Sequence, residues 1–325
     1  MKLPRRRFLQ LAAGVAVLPT MPRIGWAQAY PARPVRLIVS STAGSAPDIF
    51  ARLIAQWLSE RLGQPFVIEN RPGGGTNLGT EMVVRAPPDG YTLLLVASSS
   101  TINATLYDKL NFNFIRDIAA VAGIIRQPNV MIVNPSVPAK TVPDFIAYAK
   151  ANPGKLNMAS PGNGTSNHVA GELFRMMTGV DMVHVPYRGA AAALTDLIGG
   201  QVQVTFTGTG PSVEHVRTGH LRALAVTTAT RSEALPDIPT IGDFVPGYEA
   251  SGWYGVGVPA HTPNEIIDKL NKEINAGLAD PKMKARIADL GGMVFPGSPV
   301  DFGKHIVDET EKWAKVVKYS GLKPE

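Results

Sequence analysis

Apolar residues along the chain form short runs that alternate with longer segments of helical spacing. The run 35–39 predicts a buried strand, and the apolar residues in 50–58 then recur at the spacing of one helix face. Gly63 ends that helix, and a second strand is predicted at 66–68. Strands that alternate with helices in this way predict a mostly parallel sheet covered by helices on both faces.

The same alternation continues to the C-terminus, except in 98–121, where no clear period is visible. Further strands are predicted at 91–97, 130–133, 156–159, 182–185, 202–206, 221–226 and 253–258. Further helices are predicted at 78–84, 143–151, 169–177, 190–198, 211–218, 264–278, 281–290 and 300–319. The pattern therefore predicts two successive α/β units.

The C-terminal helices have amphipathic faces that need a sheet to cover, and the sheet of the first unit is available. We therefore predict that the chain leaves the first domain near Gln127 and returns to it near Gly247. Domain 1 is then 30–127 plus 247–325, and domain 2 is 128–246. Two crossings between domains make a hinge with a cleft between them.

The formal net charge of +6 is carried almost entirely by residues 1–29. That segment holds five basic residues and no acidic one, so the remainder of the chain carries only +1. The charge therefore gives no support to a nucleic-acid partner.

Residues 1–29 have the features of an export signal, with a basic start, an apolar run at 8–18 and a small-x-small site that ends at Ala29. Cleavage after Ala29 would leave a mature protein that begins at Tyr30. The segment 5–9 also resembles a twin-arginine signal. The alternative is an N-terminal membrane anchor, against which the apolar run is short of the roughly 18 residues that span a bilayer.

Several classes of chemistry are excluded or disfavoured by composition and spacing. The chain has no cysteine, which excludes disulfides, thiolate metal sites and cysteine nucleophiles. The six histidines form no His-Glu-x-x-His pair, and the nucleophile-elbow and P-loop motifs are absent from the sequence. We therefore predict no metal and no cofactor.

The loop 73–79 is rich in glycine, follows a strand and precedes a helix. Its glycine spacing differs from that of a dinucleotide fingerprint. It either offers backbone N–H groups to a ligand or serves only as a tight strand-to-helix turn.

Three other loops follow a strand, open a helix and are rich in small polar residues, namely 40–48, 98–101 and 160–167. Helix N-termini and hydroxyl groups at the carboxyl ends of strands form an anion site without a fixed cation, which suits a carboxylate. The alternative for a single loop is simple helix initiation, with Ser45 or Asp48 as a cap and Pro47 in the first turn. The candidate ligand-binding residues are Ser41, Thr42, Gly44, Ser45, Ala46, Asp48, Ser98, Ser99, Ser160, Gly162, Asn163, Gly164, Thr165, Ser166 and His168.

The next strand ends supply further candidates. Tyr187, Arg188, Gly189 and Ala190 lie at a strand-to-helix junction, where the guanidinium either binds a carboxylate or only solvates the rim. Thr207 ends the following strand in the same way.

Five segments make the chain resemble the substrate-binding proteins of tripartite tricarboxylate transporters, the Bug family. They are Glu69-Asn70-Arg71-Pro72-Gly73, Ala86-Pro87-Pro88-Asp89-Gly90-Tyr91-Thr92-Leu93-Leu94, Val185-Pro186-Tyr187-Arg188-Gly189, Leu194-Thr195-Asp196-Leu197-Ile198-Gly199-Gly200-Gln201-Val202 and Leu221-Arg222-Ala223-Leu224-Ala225-Val226. The resemblance implies an α/β fold of the type II periplasmic binding protein class, in which two domains with mostly parallel sheets close on a small organic acid. It places 41–48 opposite 160–167 and 187–190, with the backbone at 188 rather than its side chain as the ligand group.

Two positions depart from the family pattern. The first loop lacks the usual Pro- and Gly-rich sequence, and Thr207 stands where an Asp is common. Without that carboxylate we expect a ligand that has no α-amino group, such as an aliphatic dicarboxylate or an aromatic acid.

The leading hypothesis is a monomeric periplasmic receptor that delivers its ligand to the permease subunits of a transporter and performs no covalent chemistry. One alternative is a sensory module that reports ligand occupancy to a membrane kinase. The other is a periplasmic enzyme that uses the same cleft, with His168 as its acid–base candidate.

Overall fold

The structure is a computed structural model, and it describes residues 30–107, 109–232 and 235–324. The predicted export signal and its cleavage site after Ala29 lie outside the described residues. Within the described part of the chain, no helix combines the length and the apolar character that crossing a membrane requires.

The secondary structure follows the predicted alternation. In chain order the strands are β1 (Val35–Val39), β2 (Phe66–Asn70), β3 (Thr92–Ala97), β4 (Ile118–Gln127), β5 (Asn129–Val133), β6 (Leu156–Ser160), β7 (Met182–Pro186), β8 (Val204–Gly208), β9 (Arg222–Val226), β10 (Gly252–Pro259) and β11 (Met293–Val294). The α-helices are α1 (Ala46–Leu62), α2 (Asn77–Val84), α3 (Ser98–Leu106), α4 (Phe114–Asp117), α5 (Val142–Ala151), α6 (Ser166–Thr178), α7 (Ala190–Ile198), α8 (Thr209–Arg217), α9 (Asn264–Ala279), α10 (Pro281–Asp289) and α11 (Pro299–Ser320).

The strands form two sheets with related topologies. The first has the order β11-β4-β10-β3-β1-β2, and the second has the order β7-β6-β8-β5-β9. In each sheet a strand that arrives from the other sheet, β10 or β5, lies between two neighbours and runs antiparallel to both. The pairs β1–β2, β1–β3, β6–β7 and β6–β8 are parallel. This arrangement confirms the predicted fold of two α/β domains with mostly parallel sheets.

Helices cover both faces of each sheet, and apolar side chains fill the space between. Helices α1, α9 and α10 pack on one face of the first sheet, and α2 and the first half of α11 pack on the other. Helices α5 and α6 cover one face of the second sheet, and α7 covers the other. Parallel strands buried on both faces require this double covering.

The two domains are joined by more than the chain crossings. The first half of α11 buries Phe302 and Ile306 against the first sheet, whereas its second half buries Trp313 and Val316 in the core of the second. The chain passes between the sheets at Pro128 and again in the connection between β9 and β10. Because α11 belongs to both cores, the boundaries 30–127 plus 247–325 and 128–246 remain a prediction.

The segment 98–121, which shows no clear period in the sequence, contains α3, α4 and the start of β4. Helix α3 buries two apolar residues, Ile102 and Leu106. It also buries four polar ones, namely Ser98, Ser100, Thr101 and Asn103. Buried hydroxyl and amide groups replace the apolar positions of a normal helix face, which removes the periodic signal.

Candidate functional site

A cavity of about 220 Å³ lies between the two sheets. Strands and helix starts of the first domain and the start of α6 in the second domain form its wall. Its lining residues are Ser40, Ser41, Pro47, Thr76, Leu95, Ala97, Ser98, Ser99, Ser100, Thr165, Ser166, Asn167 and Tyr254. The cavity therefore occupies the cleft in which the sequence predicts a ligand.

Four helices begin at this cavity. Helices α1, α2 and α3 start beside it in the first domain, and α6 starts beside it in the second. In α1, α2 and α3 the N-cap side chain accepts no hydrogen bond from the helix, although Pro47 of α1 has no N–H and the Asn77 N–H of α2 donates to the Gly74 carbonyl. Each such N-terminus has a partial positive charge of roughly half a unit. The cavity is therefore electropositive without a cationic side chain.

The described residues that line the cavity include no Lys, Arg, His, Asp or Glu. Hydroxyl groups surround it instead, and the buried Oγ of Ser40 has no hydrogen-bond partner among the described residues. Burial raises the pKa of Tyr254 to about 12, so its hydroxyl stays protonated at neutral pH. The polar groups of the wall are thus hydrogen-bond donors and neutral acceptors, the set that binds an anion by hydrogen bonds and dipoles, and apolar atoms make up the rest of its surface.

The first predicted loop contributes Ser41 to the cavity wall and uses most of its other groups internally. The Ser41 and Ser45 hydroxyls are 2.9 Å apart, and the Ser45 hydroxyl donates to the Thr42 carbonyl at 2.6 Å. Residue Ala46 is the first of α1. These bonds fix the loop geometry at the start of α1.

Asp48 is buried, and its carboxylate accepts three bonds within the first domain. Its donors are the Gly44 amide at 2.8 Å, Arg52 Nε at 2.9 Å and Asn70 Nδ2 at 2.9 Å. Burial alone would raise the pKa of Asp48, but the bonds from these donors outweigh it and hold the pKa below its usual value. Asp48 therefore holds the first loop, and it is not among the residues that line the cavity.

The third loop, 160–167, has some residues on the cavity side and others on the opposite side. Thr165 and Ser166 line the cavity, and the Thr165 hydroxyl caps α6 through the His168 amide at 3.3 Å. Asn163 and His168 instead line a second cavity, the rear cavity, of about 500 Å³. Ser160 Oγ lies 2.7 Å from His184 Nε2 and bonds the backbone of Gly162.

The junction 187–190 is not among the residues that line the cavity. The Tyr187 hydroxyl donates to Asp196 at 2.7 Å, Arg188 is exposed, and the Gly189 amide donates to the Pro161 carbonyl. Ala190 begins α7. Thr207 is buried within β8, where it pairs with Val130 of β5. Their predicted contact with a ligand stays a prediction.

Eight residues that line the cavity are not among the predicted ligand-binding residues, namely Ser40, Pro47, Thr76, Leu95, Ala97, Ser100, Asn167 and Tyr254. Thr76 lies in the middle of the glycine-rich loop 73–79, for which the sequence predicts backbone N–H groups, and not this hydroxyl, as the possible ligand contacts. Leu95 is apolar, so nothing in the local sequence marks it as a binding residue. Its place in the wall depends on how the strands of the first sheet are ordered. Asn167 lies in the third loop, between the predicted residues Ser166 and His168.

A larger groove of about 540 Å³ lies between α9 and α11 on the first domain. Ile115, Ile118, Ile267 and Val300 make its wall largely aliphatic. Only the smaller cavity combines contributions from both domains with converging helix N-termini, so it is the candidate site.

Comparison with known proteins identifies the family. The family model for the tripartite tricarboxylate transporter family receptor matches residues 50–322. The chain is 35% identical over 300 residues to the protein BugT of Bordetella pertussis, which covers 91% of this chain and 92% of the relative. It is 34% identical over 317 residues to a protein encoded between tcbD and tcbE in Pseudomonas sp. strain P51, covering 96% and 94%.

Solved structures agree with this result. An R. palustris protein solved with adipate is 38% identical, with a TM-score of 0.77 and coverage of 91% of this chain and all of the neighbour. The protein MatC from Rhodopseudomonas palustris, solved with bound malate, is 30% identical, with a TM-score of 0.73 and coverage of 89% and 100%. The chain belongs to the receptor family of the tripartite tricarboxylate transporters, and it is a binding protein rather than an enzyme.

Proposed function

We propose that the protein is a periplasmic receptor that captures a small dicarboxylate in the cavity between its domains and delivers it to a tripartite transporter. The observation that carries the proposal is the convergence of four helix N-termini on one cavity without a charged side chain among the described lining residues. Two family neighbours were solved with dicarboxylates, adipate and malate, which supports the same ligand class here.

Capture by contacts from both sides favours closure on the ligand. The α6 terminus belongs to the second domain and the other three termini to the first, so an acid that touches both stabilises the closed arrangement. A dicarboxylate has an anionic group for each side. We propose delivery to permease subunits as the consequence, because the family model describes receptors of tripartite transporters.

The residues that line the cavity also lead us to propose selectivity against amino acids. The described lining residues include no carboxylate that would pair with an ammonium group, and Thr207 stands where relatives commonly have Asp. We propose that aspartate and glutamate bind more weakly than dicarboxylates of similar length.

The test is a thermal-shift screen of residues 30–325 after removal of co-purified ligand, followed by calorimetry. The panel includes adipate, malate, aspartate and adipamide, the neutral diamide of adipate. An acid at about 100 times its Kd adds roughly 2.7 kcal/mol to stability. We expect a dicarboxylate to bind, adipamide not to bind, and the acid to be recovered unchanged.

Equal binding of adipate and adipamide would contradict recognition of the anion. Turnover of the acid would favour the enzyme alternative, and tight selective binding of aspartate would contradict the inferred selectivity. If purified protein instead pulls down a kinase ectodomain and no permease subunit, the sensor alternative replaces delivery.

A further inference from the structure

Two histidines stack behind the loop 160–165, on the side away from the ligand cavity. The rings of His168 and His184 lie 3.5 Å apart and within 10° of parallel. His168 is on α6 and His184 is on the neighbouring strand β7. The pair forms part of the wall of the rear cavity, so it does not touch a ligand in the candidate site.

Each imidazole ring forms a hydrogen bond with a different residue of the loop 160–165. His184 Nε2 lies 2.7 Å from the Ser160 hydroxyl, which also accepts from the Gly162 amide at 3.2 Å. His168 Nδ1 accepts a hydrogen bond from the Gly164 amide at 3.2 Å. The two imidazoles therefore fix both ends of the segment that leads into Thr165 and Ser166.

The opposite side of the same loop rests on the first domain. A Cβ atom at Gly164, where φ is +68°, would approach Leu106 of α3 to 2.8 Å. Helix α3 carries Ser98, Ser99 and Ser100 of the cavity wall. The loop is thus held between the histidine pair and the helix that supplies the first domain's hydroxyl groups.

Charged groups surround the pair on every element that packs against it. On α6, Glu172 is buried and lies 3.6 Å from His168 Nε2, and Arg175 binds both oxygens of Glu172 at 3.0 Å. Asp181, just before β7, lies 3.7 Å from Arg175, and Lys323 of the C-terminal segment lines the rear cavity.

We propose that His168 and His184 are positioning residues that hold the 160–165 loop in its ligand-binding geometry only while both are neutral, so that acid weakens ligand binding. The inference rests on the proposed function, since it assigns a role to the loop of that site. It concerns groups that touch the loop and not the ligand.

The chemistry of the contacts supports neutrality. A nitrogen that accepts from the Gly164 amide has a free lone pair, and a proton there would place donor against donor. Burial, with a smaller contribution from the neighbouring His168, lowers the pKa of His184 to about 4. Since an unfolded histidine titrates near 6.5, the folded arrangement is favoured above that pH. The preference is lost progressively as the pH falls from about 6.5 towards 4.

The test uses variants that keep or remove each contact. In His168→Asn the side-chain oxygen replaces Nδ1 as an acceptor without titrating, and in His184→Gln a side-chain amide, which can donate or accept without titrating, replaces Nε2 beside the Ser160 hydroxyl. His168→Leu removes the acceptor. His220→Asn, at an exposed histidine of the second domain, is the matched control.

Backbone amide hydrogen exchange of the segment 160–168 without ligand, corrected for intrinsic rates, measures directly how stable the folded loop is. Between pH 7.5 and 5 we expect wild type and His220→Asn to lose protection about tenfold, whereas His168→Asn with His184→Gln keeps it. His168→Leu should lack protection at both pH values. An identical pH response in wild type and the double variant would overturn the proposal.

Calorimetry with adipate and malate at the same two pH values gives the second readout. Protonation of the acid affects all proteins equally, so only the difference between wild type and the double variant is informative. The ratio of the association constant at pH 7.5 to that at pH 5 is compared for each protein, and we expect this ratio to be about tenfold larger for wild type than for the double variant. If wild type binds no acid, the proposed function fails, while hydrogen exchange still decides the role of the histidines.

Discussion

At the scale of single residues, polar side chains beside the cavity bind their own loops as much as they face the ligand. Asp48 gathers donors from the first loop, α1 and β2. Ser160 bonds His184 and Gly162 behind the third loop. Such bonds keep a loop rigid before a ligand arrives, which reduces the ordering cost of binding.

Replacing Asp48 with Asn tests this internal role. We expect a loss of about 2 kcal/mol, because the buried amide cannot accept the same charge-assisted bonds. Urea unfolding at pH 7 measures the loss, with the exposed Asp237→Asn as the matched control.

The pH dependence of the same comparison has a defined sign. The pKa of Asp48 is lower in the folded protein than the roughly 3.9 of an unfolded chain. The carboxylate therefore stabilises the fold above about pH 4, and this contribution disappears as the pH falls further. A stability difference between wild type and Asp48→Asn that stays constant from pH 7 to 3 would argue against the assignment.

Much of the site follows from local sequence, but the choice between neighbouring residues does not. Ser41, Ser98 and Thr165 were predicted because loops that join a strand to a helix present helix N-termini at a strand's carboxyl end. The same rule applies to Tyr187 and Ala190, which are not among the lining residues. Which loops meet depends on how the two domains are placed, and short-range sequence patterns carry no signal for that placement.

At the scale of elements, helix α11 connects the two cores. Glu309 lies in the middle of this helix, is buried, and accepts from Trp253 Nε1 of β10 at 3.1 Å and from Trp313 Nε1 at 2.9 Å. Lys312 pairs with the same carboxylate. Trp253 packs in the core of the first sheet and Trp313 in the core of the second, so one carboxylate links both.

Glu309→Ala should therefore destabilise the whole protein by about 3 kcal/mol, since it leaves two indole N–H groups without their buried acceptor and removes one of the two carboxylates that pair with Lys312. Glu309→Gln retains one acceptor and should cost less. Guanidinium unfolding measures both, and Glu311→Ala at an exposed position of the same helix is the control. An effect of Glu309→Ala no larger than that of the control would show that the link is dispensable.

Elements with regular apolar spacing were predicted correctly, whereas α3, α4 and the apolar strand β4 were not predicted. Helix α9 buries Ile267, Leu270 and Ile274 at helical spacing and was predicted over almost its full length. Helix α3 was missed because serine, threonine and asparagine fill its buried positions. The segment that the apolar pattern could not interpret is thus the one that supplies part of the cavity wall.

At the scale of the whole molecule, two sheets of related topology face each other across a cavity where four helices begin. Each sheet receives one antiparallel strand from a crossing of the chain, which couples the domains at the hinge. This architecture brings dipoles from both domains to one ligand and does not require a charged side chain to hold it. The central claim is that an organic acid binds at this point.

The most direct test is a crystal structure of residues 30–325 with adipate, or with the acid that gives the largest thermal shift. We predict a carboxylate within hydrogen-bond distance of first-turn N–H groups in the first domain and of the α6 terminus in the second. Ser99 and Ser166 should lie beside the ligand. An acid bound in the rear cavity, or in the aliphatic groove between α9 and α11, would contradict the account.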